Sequence, residues 1–142
     1  MRIAIINGPN LNLLGKREPS IYGDQGFDAY LEQLRASHPG IDIRYLQSNW
    51  EGELVDALQQ EGFASNGIIL NPGGYTHTSV AIGDAVAAIP VPVIEVHISN
   101  VHAREDFRKL SHVSAKCKGT ISGLGLQGYA LALEYLLHAM PQ

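Results

Sequence analysis

Short apolar runs alternate along this chain with stretches of helical periodicity, and few folds accept that rhythm. Residues 3–6 (Ile-Ala-Ile-Ile) form an apolar run closed by Asn7-Gly8-Pro9-Asn10. Phe27, Tyr30, Leu31 and Leu34 fall at i, i+3, i+4 and i+7, one face of a helix that His38-Pro39-Gly40 ends. Ile41, Ile43 and Tyr45 alternate with polar residues, the pattern of a half-buried or edge strand. Ser48 to Glu51 has the spacing of a capping box, ahead of a helix carrying Leu54, Val55 and Leu58. Residues 67–70 read as a buried strand. Ile82, Ala85, Val86 and Ile89 mark a third helix, residues 91–98 a fourth strand, 119–122 a fifth, and 126–138 a closing helix.

Strands that alternate with helices through short links imply a parallel sheet covered on both faces. Right-handed crossovers then leave a doubly wound sheet of order 2-1-3-4-5, a flavodoxin-like three-layer α/β sandwich with five parallel strands. In such sheets the ligand crevice lies outside the carboxyl ends of the strands, where the winding reverses, here between strands 1 and 3. The sequence places its polar residues there. Strand 3 runs into Asn71-Pro72-Gly73-Gly74-Tyr75-Thr76-His77-Thr78-Ser79, far more polar side chains than one helix cap needs. Strand 1 delivers Asn7 to Asn10, and strand 4 delivers His97-Ile98-Ser99-Asn100. Residues 8–25 make an unusually long strand-to-helix link, which reads as a functional lid or a disordered segment, with Gly15 and Gly23 as candidate hinges.

Composition narrows the partners. A net charge of −4 provides no global field for nucleic acid or anionic membranes. Cys117 is the single cysteine, which fits a reducing compartment. Residues 1–6 are too short an apolar run for a signal peptide, and nothing approaches membrane-spanning length. The expectation is one cytoplasmic catalytic domain over residues 1–142.

Five stretches in order, "INGPNLNLLGKREPSIYG", "QSNWEGEL", "ILNPGGYTHTSVAIGDA", "PVIEVHISNVHAREDFRKLS" and "GLGLQGYALAL", resemble the type II 3-dehydroquinate dehydratases. The likeness runs almost end to end. Trp50 stands where that family commonly has histidine, and Pro72 where it has alanine; neither is a family catalytic position. The resemblance implies a lyase of the shikimate pathway of aromatic amino acid biosynthesis. It would remove water from 3-dehydroquinate to give 3-dehydroshikimate, through an enolate and with anti stereochemistry, using no cofactor and no metal. Quinate breakdown is the alternative role.

The family pattern assigns the base to Tyr22, in the loop after strand 1. A free phenol has a pKa near 10, so about one in a thousand is ionised at neutral pH, and lowering it to about 7 takes roughly 4 kcal/mol. A guanidinium in a dry site can supply much of that. Arg17 and Arg108 are the candidates, and the pattern gives Arg17 the stabilising role and Arg108 a binding role. Taken alone, Tyr22 reads equally as a surface tyrosine packed on the loop. Asn10 would stabilise the enolate directly or through water, although its residue type also suits the turn after Gly8-Pro9. His97 would be the acid. Glu95, two residues earlier on the same strand, lies on the same face, where it would orient the imidazole or favour its protonated form. Ile98 and Ser99 would hold the substrate carboxylate, and Asn71, His77 and Arg108 its hydroxyls. Thr78 or Ser79 would cap the third helix, Thr76 and Thr78 serving structure only.

The third helix is apolar nearly all round except for Asp84, so its outer face should meet another subunit. The resemblance implies trimers that build a dodecamer, with Asp84 reaching a neighbour's active site.

Some signals are set aside. Gly123 to Gly128 spells G-x-G-x-x-G, but too little chain follows to supply the acidic ribose reader of a dinucleotide site, so these glycines are read as packing the last strand against the last helix. Glu95, His97 and His102 match no zinc spacing. Lys109, Lys116 and Arg104 are read as solvated, Arg104 with a possible part in closing the lid. A flavin-binding module would want hydroxyls after strand 1, and a phospho-acceptor domain would want acids after strands 1 and 3; asparagines stand there instead. Another hydroxy-carboxylate lyase is the alternative least excluded.

Overall fold

The computed structural model describes residues 1–16, 20 and 25–140. Its sheet has five strands in the order β2-β1-β3-β4-β5. They are β1 (Arg2–Asn7), β2 (Asp42–Gln47), β3 (Gly67–Asn71), β4 (Val93–His97) and β5 (Gly119–Ser122), each parallel to its neighbours. The helices between and after them are α1 (Phe27–Ser37), α2 (Glu51–Ala64), α3 (Val80–Ala88) and α4 (Gln127–Ala139). Architecture and strand order are those expected from the alternation.

Successive side chains of a strand point to opposite faces, and that period sorts the core into two layers. Ile3 and Ile5 of β1 face α1 and α4, packing with Phe27, Leu31, Tyr129 and Leu133. Ala4 and Ile6 face α2 and α3, packing with Leu54, Leu58, Ile82 and Val86. Sheet residues of β1 and β3 are buried from both sides, so these strands read as unbroken apolar runs. β2 is an edge strand in which only Ile43 is fully buried, which explains its polar alternation. Burying the Ile and Leu side chains of these layers contributes about 1.5–3 kcal/mol each against exposure.

Three boundaries differ from expectation. β2 runs to Gln47, because it pairs with β1 over its whole length, Arg2 opposite Asp42 through Asn7 opposite Gln47. β4 begins at Val93 rather than at residue 91. Pro92 has no N–H for a ladder, and only its carbonyl takes part, accepting from Ile68 N–H at 3.0 Å. The capping box of residues 48–51 does not form. Trp50 is the N-cap of α2 and has no side-chain cap bond. Ser48 lies two residues further out, accepting from Trp50 N–H at 3.0 Å and donating its hydroxyl to Glu53. Ser79, by contrast, caps α3, its Oγ accepting from Ile82 N–H at 2.9 Å.

Candidate active site

Parallel strands deliver their carboxyl ends to one edge of the sheet, so the residues after β1, β3 and β4 meet. β1 ends in Gly8, whose N–H donates to the carbonyl of Asn71 at 2.7 Å. A Cβ on Gly8 would lie 2.6 Å from the carbonyl oxygen of Pro72, so only glycine closes this seam between the two loops. Gly73 has φ +59°, and a Cβ there would come within 3.2 Å of the Pro9 carbonyl oxygen. Of the Gly73-Gly74 pair only Gly73 makes a close backbone approach; a Cβ on Gly74 would meet nothing within 4 Å. Asn10 turns the chain at φ 69°, a left-handed conformation asparagine tolerates, and its N–H donates to Asn49 Oδ1 at 3.0 Å.

Above this seam opens a cavity of about 130 Å³. Asn10, Asn71, His77, His97, Ile98, Ser99 and Arg108 all line it, so seven residues singled out from sequence share one wall system. Glu95 sits behind His97, fully buried. Asp84 is not on the cavity; it lies on the exposed face of α3, among Val80, Ala81, Ala87 and Ala88. Arg17 and Tyr22 fall outside the described residues.

Glu95 and His97 share a face of β4, and His97 Nε2 lies 2.6 Å from Glu95 Oε1. Thr76 Oγ1 donates to the same carboxylate oxygen at 2.5 Å, and the Ser114 hydroxyl donates to Oε2. Burial by itself would raise the Glu95 pKa. The bond and charge of His97, with the hydroxyls of Ser114 and Thr76, outweigh it and hold the carboxyl below its ordinary range.

His77 is held differently. Its Nδ1 lies 2.7 Å from the Leu110 carbonyl, and a carbonyl only accepts, so Nδ1 carries the hydrogen and Nε2 is left as an acceptor. Burial first, then the charges of Arg108 and His97, push its pKa below the ordinary imidazole value, against the opposing pull of the Leu110 bond and Glu95. His77 is therefore a neutral ring at neutral pH. It packs edge-on against Phe107, whose ring also lies 5.0 Å from the Arg108 guanidinium. Arg108 Nε donates to Glu105 Oε2 at 2.5 Å. Arg104 also lines the cavity and donates to Ser99 Oγ at 3.4 Å. Of the two readings offered for Arg104, the solvated one gives way to a place on the cavity wall.

Asn71 has its amide fixed from two sides. Oδ1 accepts from Gly73 N–H at 3.1 Å, and Nδ2 donates to the Tyr129 hydroxyl at 2.9 Å. Tyr129, fully buried in α4, donates in turn to Asn7 Oδ1 at 2.8 Å. Each amide nitrogen has two hydrogens, so Asn71 retains one for the cavity. Of the glycines at residues 123–128, only Gly128 serves strand-to-helix packing as expected; Gly123 and Gly125 instead hold positive φ of 87° and 62°, and a Cβ on Gly125 would meet nothing within 4 Å. A Cβ on Gly128 would crowd Val96 at 3.1 Å.

Sequence reasoning missed Thr76 as a functional group, together with Ser111, Ser114 and Tyr129. Thr76 stands in the polar run 71–79, which was its one signal. The others lie on distant segments and carry no local pattern.

Such a cavity presents amide and imidazole groups, two guanidinium-bearing segments and a carboxylate-backed histidine to a small polar anion. The family model described as dehydroquinase class II matches residues 1–137. A 3-dehydroquinate dehydratase of Exiguobacterium sp. is 53% identical over 138 residues, spanning 96% of this chain and 94% of its own length. One from Fusobacterium nucleatum is 52% identical over 144 residues, spanning 96% and 97%. The crystal structure of a type II dehydroquinase from Butyrivibrio crossotus superposes with a TM-score of 0.93 at 44% identity, covering 96% of this chain and 97% of that one.

Proposed function

Because the chain belongs to the dehydroquinase class II family, we propose that it removes water from 3-dehydroquinate to give 3-dehydroshikimate, with the residues gathered on this cavity as its machinery. The observation that carries the reading is the Glu95–His97 pair, 2.6 Å apart, at the wall of a cavity that Asn10, Asn71, His77, Ser99 and Arg108 also line.

The reaction needs a base for a carbon acid, a donor for the enolate oxygen, and an acid for the leaving hydroxyl. Tyr22 is the base and Arg17 the cation that keeps it anionic; both roles rest on the motif. Asn10 supports the enolate directly or through water. His97 protonates the departing hydroxyl, with Glu95 stabilising the imidazolium. Ile98 and Ser99 receive the carboxylate. Asn71, neutral His77 and Arg108 pair the ring hydroxyls, each of which would cost about 1–3 kcal/mol if buried without a partner. The chain acts as a single catalytic domain, and the lone Cys117 supports a cytoplasmic setting.

Oligomerisation completes this reading. The exposed apolar face of α3 around Asp84 supports an interface there, with trimers assembling into a dodecamer and Asp84 facing a neighbour's site. Mixing subunits that separately lack Asp84 and Tyr22 then restores part of the activity; no restoration removes the shared site.

Incubation with 3-dehydroquinate should produce the ultraviolet absorbance of a conjugated enone carboxylate. Folded protein that gives no signal defeats the assignment. Tyr22→Phe should abolish turnover while ligand binding is retained, and an active variant would remove Tyr22 from the base role.

A further inference from the structure

The hydrogen-bond donors around Glu95 can be assigned one by one. Ser111 Oγ lies 3.0 Å from the N–H of Val113 and 2.9 Å from that of Ser114, and backbone N–H groups only donate. Ser111 Oγ therefore accepts twice, and its own hydrogen goes to the neighbour within reach, Thr76 Oγ1 at 2.7 Å. Thr76, accepting there, turns its hydrogen to Glu95 Oε1 at 2.5 Å. Ser114 donates to Oε2. Hydroxyl hydrogens aimed at both oxygens, together with the bond and charge of His97, favour the carboxylate over the acid, and a carboxylate only accepts. His97 Nε2, 2.6 Å from Oε1, must then carry a hydrogen.

We propose that Thr76, Ser111 and Ser114 are positioning residues: together they fix Glu95 as the anion and His97 with hydrogen on Nε2, so that Nδ1 is the nitrogen that delivers a proton to the substrate. The proposal rests on the reading of His97 as the acid. In the step, the Nδ1–H proton passes to the leaving oxygen as the carbon–oxygen bond breaks. Water departs, and His97 is left neutral, its hydrogen still on Nε2 and donated to the Glu95 carboxylate.

The segment that presents the two serines is clamped. Val113, between them, is fully buried in the core shared by α2 and α3. His112 N–H donates to the Thr76 carbonyl at 2.8 Å, and Gly83 of α3 lets the His112 carbonyl approach so closely that a Cβ would stand 2.3 Å from its oxygen. The other titratable or charged groups facing the pair are His77, Arg104 and Arg108 on the cavity side and the Cys117 thiol near Glu95. His77 spends its ring hydrogen on the Leu110 carbonyl, and a thiol is only a weak donor, so neither substitutes for the hydroxyls.

The test uses Thr76→Val, which keeps shape and removes the donor, with Thr76→Ser, Ser111→Ala and Ser114→Ala. Nitrogen-15 NMR of histidine-labelled protein reads the His97 tautomer without any reference to turnover. Wild type and Thr76→Ser should show hydrogen on Nε2. Thr76→Val and Ser114→Ala should show mixed tautomers, with kcat lower by roughly tenfold or more, as for loss of one bond to a charged group, and KM within about twofold. Ser111→Ala should behave as a weaker Thr76→Val. If Thr76→Val and Ser114→Ala keep the wild-type tautomer and kcat while His97→Gln is inactive, the positioning role is overturned and the acid stands. If His97→Gln turns over normally, the acid reading itself fails. Should any one variant not fold, the remaining substitutions decide.

Discussion

Replacing Tyr129 with phenylalanine isolates a single oxygen at the centre of the fold. The hydroxyl donates to Asn7 Oδ1 at 2.8 Å and accepts from Asn71 Nδ2 at 2.9 Å, and all three residues are buried. The ring itself stays, including its edge-on contact with Phe27 at 4.9 Å, so packing is nearly unchanged. Two buried polar groups lose their partner at once. Each such loss costs about 1–3 kcal/mol, and removing one buried hydroxyl returns part of that, leaving a net destabilisation of about 2–4 kcal/mol. At about 2–4 °C per kcal/mol for a chain of this size, Tm should fall by roughly 4–16 °C. Urea unfolding at fixed protein concentration measures the change, with the midpoint lowered and the slope m unaltered. Asn71 keeps only its bond from Gly73 N–H, so its amide is less well aimed and KM should rise. A midpoint shift worth less than about 1 kcal/mol would refute the buried-network reasoning, since burial of all three groups leaves water no easy way in.

Gly83→Ala sets two effects in opposition: about 1 kcal/mol gained in helix propensity against about 1–3 kcal/mol for forcing a Cβ to 2.3 Å from the His112 carbonyl oxygen. Backbone cannot rotate away as a side chain can, so the variant should lose stability in urea and kcat as the serine segment shifts; a stabilised variant would sink this. Burial, helped by the Glu95 charge, pushes the Cys117 thiol up to about 12, so iodoacetamide at mildly alkaline pH should label it far more slowly in the native protein than in urea; equal rates would contradict the burial. The Glu95 pKa is depressed from 4.5 in the fold, so its stabilisation is complete above that value and is lost as pH falls through the folded value. The stability gap between wild type and Glu95→Gln should therefore narrow on acidification below about pH 4.5, and a gap independent of pH would show that ionised Glu95 contributes nothing.

Much of this was legible in the chain because it depends on periodicity. Runs such as Ile3 to Ile6 can be buried on both faces only in a covered parallel sheet, and that geometry sends the residues after β1, β3 and β4 to a common edge. Asn10, Asn71 and His97 were placed near one another by topology alone. What escaped were contacts between segments far apart in sequence. Ser111 and Ser114 reach Thr76 and Glu95 from a stretch with no regular period, and hydroxyl-to-hydroxyl bonding leaves no spacing to read. Tyr129 looked like any apolar position on α4, because its ring is core and only its oxygen is site. The helix start at Trp50 was misplaced for a similar reason: Ser48 satisfied a pattern, but its hydroxyl bonds in a turn before the helix.

The seam at Gly8, where two loops touch backbone to backbone, divides the site into parts that will respond differently to engineering. The seam itself is main chain packed on main chain, with no room for a Cβ at Gly8 or, without strain, at Gly73, so a library aimed at those two positions would sample mostly misfolded protein. Altered substrate preference is better sought at Val101, Arg104 and Arg108, which line the cavity from a separate stretch of chain and can be varied while the seam keeps its shape.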